Sequence, residues 1–348
     1  MKGEGVHITN DLVSRNVSYD LLRVLACMMI VAMHSPMPNE QANGALVSAL
    51  SYLTAPGIGL FFMISGALLL PVKQSTSFFL RKRFTKMLYP TLFWSLFYLC
   101  MNVWLRGEDV SWGNSLLSLP FSAQGNPVLW FMYTLLGLYL LAPILSSWLQ
   151  AASKREHTFY MGLWGVTLCY PLLRDVVDVN TSNTGVLYYF TGYVGYFVLG
   201  YYLKRYPYVF PMKWMFFALG IALGVPIACR LQGYKVDFYN LFWYLSIFVV
   251  VQCVFWWKVI GRVNNVGRFA NLLILLSKLS FGIYLIHIFV MRFLLWQWTP
   301  ILNISNHALQ TFTIATLTFV MSALISYIFS LLPGSQYLIG YKRATNGQ

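Results

Sequence analysis

Charge is what this chain has least of. Only 10% of its 348 residues are Asp, Glu, Lys or Arg, where a soluble globular domain carries about 25%. With 58% hydrophobic residues, 18% aromatic residues and a mean hydropathy of +0.61, the composition excludes a soluble domain and reads as an integral membrane protein. Cysteine is also sparse. Cys27, Cys100, Cys169, Cys229 and Cys253 fall within or at the ends of apolar runs and show no CxxC spacing. That supports neither a disulfide framework nor a zinc site, and leaves buried, unreactive thiols. The first 18 residues lack an apolar core and a small-residue cleavage site, so the first apolar run is expected to stay as a helix. Linkers, low-complexity runs, a repeat period and a nucleotide-binding fingerprint are missing too. Residues 1–348 therefore read as a single membrane domain whose helices must do any chemistry themselves.

What is present is a series of apolar runs. A helix needs about 20 apolar residues to cross the hydrocarbon. Runs near residues 17–36, 46–70, 84–105, 127–149, 158–175, 186–203, 212–230, 238–258, 272–297 and 308–332 predict an all-α integral membrane protein of about ten transmembrane helices. The fifth run is short, and the ninth is long enough to begin as an interfacial helix. Ten spans bring both ends to one side. With that side inside, eighteen Lys and Arg lie on inner loops and flanks, against Arg106, Arg174, Arg230 and Lys235 outside. Cations collect on the cytoplasmic face, so segment 1–16 and tail 333–348 both read as cytoplasmic. The inner cations include Lys2 and Arg15, while Glu40, Glu108, Asp109, Asp175, Asp178 and Asp237 fall outside. The net charge of +14 is thus a topology signal and not a nucleic-acid footprint. In the long outer segment 106–126, SWGNSLLSLPF is expected to form a short re-entrant or surface helix.

The first span, YDLLRVLACMMIVAMHS, carries two ionisable residues, Arg23 and His34. Eleven steps of about 100° return almost to the starting direction, so the two share one face, about 16 Å apart along the axis. Alone, Arg23 is explained by snorkelling to the inner headgroups and His34 by a neighbouring carbonyl. On one stripe they point into the protein or a water-filled cavity, where ionisable groups are functional candidates.

Further motifs lie along the chain. FLRKRFTKMLYP crowds Arg81, Lys82, Arg83 and Lys86 at the inner mouth of the third span. Arg81 and Lys82 suit topology or anionic lipid equally well, whereas three-residue spacing puts Arg83 and Lys86 on one face, able to hold a polyanion. In LSKLSFGIYLIHIFVMR, Ser277, Ser280, Tyr284 and His287 form a polar stripe, with the two serines read as helix packing. Ser65-Gly66 in GLFFMISGALLL is also read as packing, since no GxSxG elbow surrounds the serine. Trp130 and Phe131 open the fourth span, a common place for interface aromatics.

Together these pieces resemble the acyltransferase-3 family of bacterial membrane O-acyltransferases. Arg23, ten residues, then His34 is similar to its first-helix signature, and FFMISGALLL to its second-helix Ser-Gly segment. Arg83-x-x-Lys86 followed by MLYP resembles its Arg-x-x-Arg element, with lysine second, which keeps the charge but loses bidentate geometry. LWF at Leu129 to Phe131 and SFGIYLIH at Ser280 to His287 resemble two more.

The resemblance implies a multi-pass enzyme of the bacterial cytoplasmic (inner) membrane. It would move an acyl group, most simply acetyl from acetyl-CoA, to a hydroxyl of an envelope glycan or undecaprenyl-linked sugar. No permanently bound cofactor is implied, and acyl-CoA is a substrate. Arg83 and Lys86 would anchor the donor's nucleotide end, Arg23 would line the path, and His34 would act as general base, since histidine titrates near neutrality. His287 would orient His34 or bind the acceptor, with Trp130 and Tyr284 as further acceptor contacts. Direct transfer needs no covalent intermediate, although an acyl-His34 is also compatible with the residues. The alternative is an exporter of a polysaccharide or small metabolite on the same fold, for which no inverted repeat is evident.

Overall fold

The computed structural model describes residues 16–38, 44–175, 177–179, 185–207, 211–232 and 242–343. Lys2, Arg15, Glu40, Lys235 and Asp237, used above to orient the chain, lie outside them, as does the start of the eighth expected span. The structure is all-helical, 77% helix, with no strand among the described residues. In chain order the helices are α1 (Val17–His34), α2 (Ala45–Thr54), α3 (Pro56–Leu69), α4 (Thr76–Arg106), α5 (Trp112–Ser118), α6 (Trp130–Ala151), α7 (Lys154–Thr167) and α8 (Tyr170–Asp175). There follow α9 (Val194–Arg205), α10 (Met212–Leu231), α11 (Ile247–Ile260), α12 (Ala270–Phe293), α13 (Thr299–Leu302), α14 (His307–Ser330) and α15 (Gln336–Ile339).

Among the described residues, seven segments are long and apolar enough to cross a bilayer: α1, α2 with α3, α4, α6, α10, α12 and α14. The other three expected spans are shorter. At the fifth, α7 stops at Thr167. Pro171 has no N–H to return to the Thr167 carbonyl, so the helix breaks before α8. At the sixth, a 3₁₀ turn (Tyr188–Phe190) leads to Gly192 at φ 99°, a left-handed conformation that glycine tolerates, and α9 starts only at Val194. At the eighth, α11 has 14 residues. The segment SWGNSLLSLPF does hold a short helix, α5, with no buried residue.

Two packings position the site. The first joins α3 to α9. A Cβ on Gly66 would sit 1.7 Å from the Phe197 carbonyl oxygen, and one on Gly200 would sit 1.8 Å from that of Met63. The two helices cross backbone to backbone through a reciprocal glycine pair, the small-residue logic of membrane helices. The second joins α1 to α12. Arg23 meets Ser277, Cys27 meets Ser280 and His34 meets His287. Numbers rise together on both helices, so α1 and α12 run parallel. Seven alternating crossings would make α12, the sixth, antiparallel to α1. The parallel pair therefore calls for an odd number of further crossings among the shorter helices.

Candidate active site

Arg23 and His34 do share a face, and that face rests on α12. At one end, Nη1 of Arg23 donates to Ser277 Oγ at 3.1 Å. Ser277 in turn donates to Asp20 Oδ1 at 2.5 Å, and Asp20 lies 3.8 Å from the Arg23 guanidinium. The Asp20 side chain is only 4% exposed and that of Arg23 26%. The intramembrane cation is thus held by a buried carboxylate one helical turn away. Asp20 was missed in the sequence, although the i,i+3 spacing within YDLLR carries the signal.

At the other end, the rings of His34 and His287 lie with centroids 5.3 Å apart, tilted. His34 Nδ1 is 2.8 Å from the carbonyl oxygen of Ile30, one turn earlier in its own helix. A carbonyl only accepts, so Nδ1 carries the proton and, in the neutral ring, Nε2 keeps its lone pair. His287 repeats the arrangement, with Nδ1 2.5 Å from the Tyr284 carbonyl and a buried Nε2 without a hydrogen-bond partner. Each helix therefore sets its own histidine's tautomer, and α1–α12 packing brings the two rings together.

His34 also lines a cavity of about 540 Å³ at the C-terminal end of α1, with Ser51, Trp130, Tyr193, Trp243 and Tyr244 among its walls. The aromatics form one continuous surface: Trp130 lies 5.1 Å from Tyr193 and 5.6 Å from Tyr244, and Trp243 lies 4.3 Å from Tyr244, centroid to centroid. Among the described residues its lining holds no Lys, Arg, Asp or Glu. Tyr193, Trp243 and Tyr244 were missed in the sequence, because in a chain with 18% aromatics they look like any interface residue. His287 and Tyr284 are not in the lining. His287 is fully buried behind His34, and Tyr284 gives its hydroxyl to the Val128 carbonyl while its ring packs 5.5 Å from Phe131.

The Arg83–Lys86 pair divides. Arg83 is half-buried, its guanidinium 5.8 Å from the Phe79 ring and its buried Nε without a hydrogen-bond partner. Buried Tyr139 lies near Ser65 and within electrostatic reach of both Arg83 and Arg23. Lys86 is exposed and lines a groove of about 620 Å³ with Arg81, Lys82, Tyr341 and Lys342. Three residues on a helix differ by about 60°, enough for one side chain to face the bundle and the other the groove. Among the described residues no group of three His, Cys, Asp or Glu is placed to hold a metal ion.

Residues 16–331 match the family model of an acyltransferase domain. No curated protein and no solved structure matches the chain. The match runs from the cap of α1 to just past α14, and so contains Arg23, His34, the aromatic cavity and His287. The chain belongs to the acyltransferase-3 family and is a membrane acyltransferase.

Proposed function

We propose that the protein transfers an acyl group, most simply acetyl, from cytoplasmic acyl-CoA to a hydroxyl of an envelope glycan or undecaprenyl-linked sugar, with His34 as general base. The observation that carries this reading is the setting of His34. It lines the aromatic cavity while Nδ1 is tied to the Ile30 carbonyl, so Nε2 is the atom left for an acceptor proton. Sugar rings stack on aromatic faces, which suits Trp130, Tyr193 and Tyr244 as the acceptor's seat. The donor comes from the other end. Lys86 meets its phosphates from the groove on the inner side and Arg83 from the bundle side, and the slender pantetheine arm passes Tyr139 and Arg23 to bring the thioester about 16 Å along α1 to His34. This reading keeps ten spans with both termini cytoplasmic, in the bacterial cytoplasmic membrane.

In the reaction, the acceptor O–H gives its proton to His34 Nε2 as its oxygen adds to the thioester carbonyl carbon. The tetrahedral intermediate collapses and the C–S bond breaks. The departing CoA sulfur takes the proton back from His34, leaving an ester and a free thiol. His287 backs the His34 ring and fixes its plane. Arg23 stays protonated throughout, so it serves the donor's path and not proton transfer.

The test is purified protein in nanodiscs with acetyl-CoA and the host's surface glycan, scored for thiol release and glycan acetylation. His34→Ala should lower transfer by about 10²–10⁴-fold, the usual worth of a general base, at unchanged protein abundance. Wild-type transfer by His34→Ala would sink the assignment. An acyl adduct on His34 after donor alone would replace direct transfer with a covalent route.

A further inference from the structure

At the end of the bundle where α1 begins, a second cavity of about 350 Å³ opens between α1, α9, α10 and α11. Lys204 in the last turn of α9, Lys258 in the last turn of α11 and Arg262 just beyond it all line this space. Among the described residues, no Asp or Glu lines it. The positive-inside bias puts cations at this face, and the negative ends of α9 and α11 favour lysine in their last turns. Neither effect requires them to converge on one volume. Convergence has an electrostatic cost, since Arg262 is near enough to Lys258 to act on it, and a concave site lined by one sign of charge concentrates counter-ions.

The other walls narrow the counter-ion's chemistry. Nζ of Lys204 donates to the Ala67 carbonyl at 2.7 Å, which fixes the ammonium in place and leaves it two further N–H donors. The Asn16 side-chain oxygen accepts from the Tyr19 amide, which leaves its NH₂ as a donor. Tyr19 and Trp257, with centroids 5.5 Å apart, supply an aromatic wall. Several donors around an oxyanion, beside a flat apolar surface, match a phosphate that carries an organic group.

We propose that this cavity binds a phosphate ester, its phosphate against Lys204, Lys258 and Arg262 and its organic part against Tyr19 and Trp257. The site is distinct from the one proposed for the donor, since Arg23, Arg83 and Lys86 are not among its lining residues. Occupancy joins the start of α1, which carries His34, to the ends of α9 and α11. A soluble nucleotide and a phospholipid headgroup offer the same chemistry.

The experiment follows the thermal midpoint of the full chain in neutral detergent. It is titrated with adenosine 3′,5′-bisphosphate, with dioctanoyl phosphatidylglycerol, and with sodium chloride at matched ionic strength. At least one phosphate ester should raise the wild-type midpoint saturably. Lys258→Gln or Arg262→Gln should weaken that binding about tenfold or more, the worth of one charged hydrogen bond, while Arg106→Gln, in the last turn of α4 and outside this cavity, should leave it unchanged. A response to the nucleotide alone assigns a soluble ligand, and a response to the lipid alone assigns a headgroup. Arg262 is exposed, so Arg262→Gln keeps the test valid if Lys258→Gln folds poorly. The proposal is overturned if neither ester saturates, if salt reproduces the shift, or if Arg262→Gln binds as wild type does.

Discussion

Replacing Gly66 with alanine should force α3 and α9 apart. The added Cβ would lie 1.7 Å from the Phe197 carbonyl oxygen, and contacts of this kind essentially never fall below 3.0 Å, so the backbones must separate by about 1.3 Å. Backbone cannot swing aside as a flexible side chain can. Gaps of about 0.5–1 Å already forfeit a quarter to a half of a dispersion contact, and this seam buries Phe62, Met63, Tyr196 and Phe197. Overpacking costs about 1–3 kcal/mol, and this case belongs at the upper end. Alanine's better helix propensity gives back about 1 kcal/mol. The net expectation is a loss of about 2 kcal/mol, or a fall of roughly 3 °C in the thermal midpoint. Gly200→Ala meets the Met63 carbonyl at 1.8 Å and should behave alike. Because either change opens the same seam, the double variant should lose less than the two singles together. Function should respond as well, since Phe62 on α3 touches both Phe131 and Tyr193, a wall of the His34 cavity. Gly137→Ala on α6 is the control, because a Cβ there meets nothing within 4 Å and should be neutral or slightly stabilising. Thermal unfolding of the four variants in one detergent decides the matter. Midpoints for Gly66→Ala and Gly200→Ala equal to that of Gly137→Ala would refute the close crossing.

Asp20→Ala should destabilise the fold by about 2–3 kcal/mol, because it leaves the largely buried Arg23 charge without its carboxylate. Denaturant titration reads this, and Asp20→Asn, which can still accept from Ser277, should lose less. Trp130→Ala removes the ring shared by the Tyr193 and Tyr244 contacts and should raise the acceptor KM about tenfold. Thioester hydrolysis without acceptor should stay near wild type, and a loss of both would assign Trp130 to the donor path instead. His287→Ala should reduce kcat through a looser His34 ring, and unchanged steady-state kinetics would remove its positioning role. Glu156 closes a capping box on α7: its carboxylate accepts from the Ser153 backbone amide, which holds the carboxyl below the ordinary range, and its own backbone amide donates to the Ser153 hydroxyl oxygen. Its stabilising contribution is therefore present above the ordinary carboxylate pKa of about 4.3 and lost as pH falls through the lowered value. The midpoint difference between wild type and Glu156→Gln should accordingly close in acid, which melts recorded from pH 7 down to pH 3 would show.

The sequence alone determined that the chain is a helical membrane protein, because apolar composition and run length are local properties. It also determined that Arg23 and His34 share a face, since helical pitch converts spacing into direction. Run length overstated the fifth and sixth spans, because the helix break before Pro171 and the left-handed Gly192 interrupt them inside apolar sequence. Only the tertiary structure decided that His34 faces His287, 253 residues away, and that Tyr193, Trp243 and Tyr244 complete one cavity with Trp130. It alone separated Arg83 from Lys86 and gathered Lys204, Lys258 and Arg262 around a single space. These pairings depend on which helix faces meet, and the meeting of α3 and α9 depends on two glycines whose missing side chains let the backbones touch. A sequence shows that such residues are small or charged. Their partners are fixed only when distant helices pack.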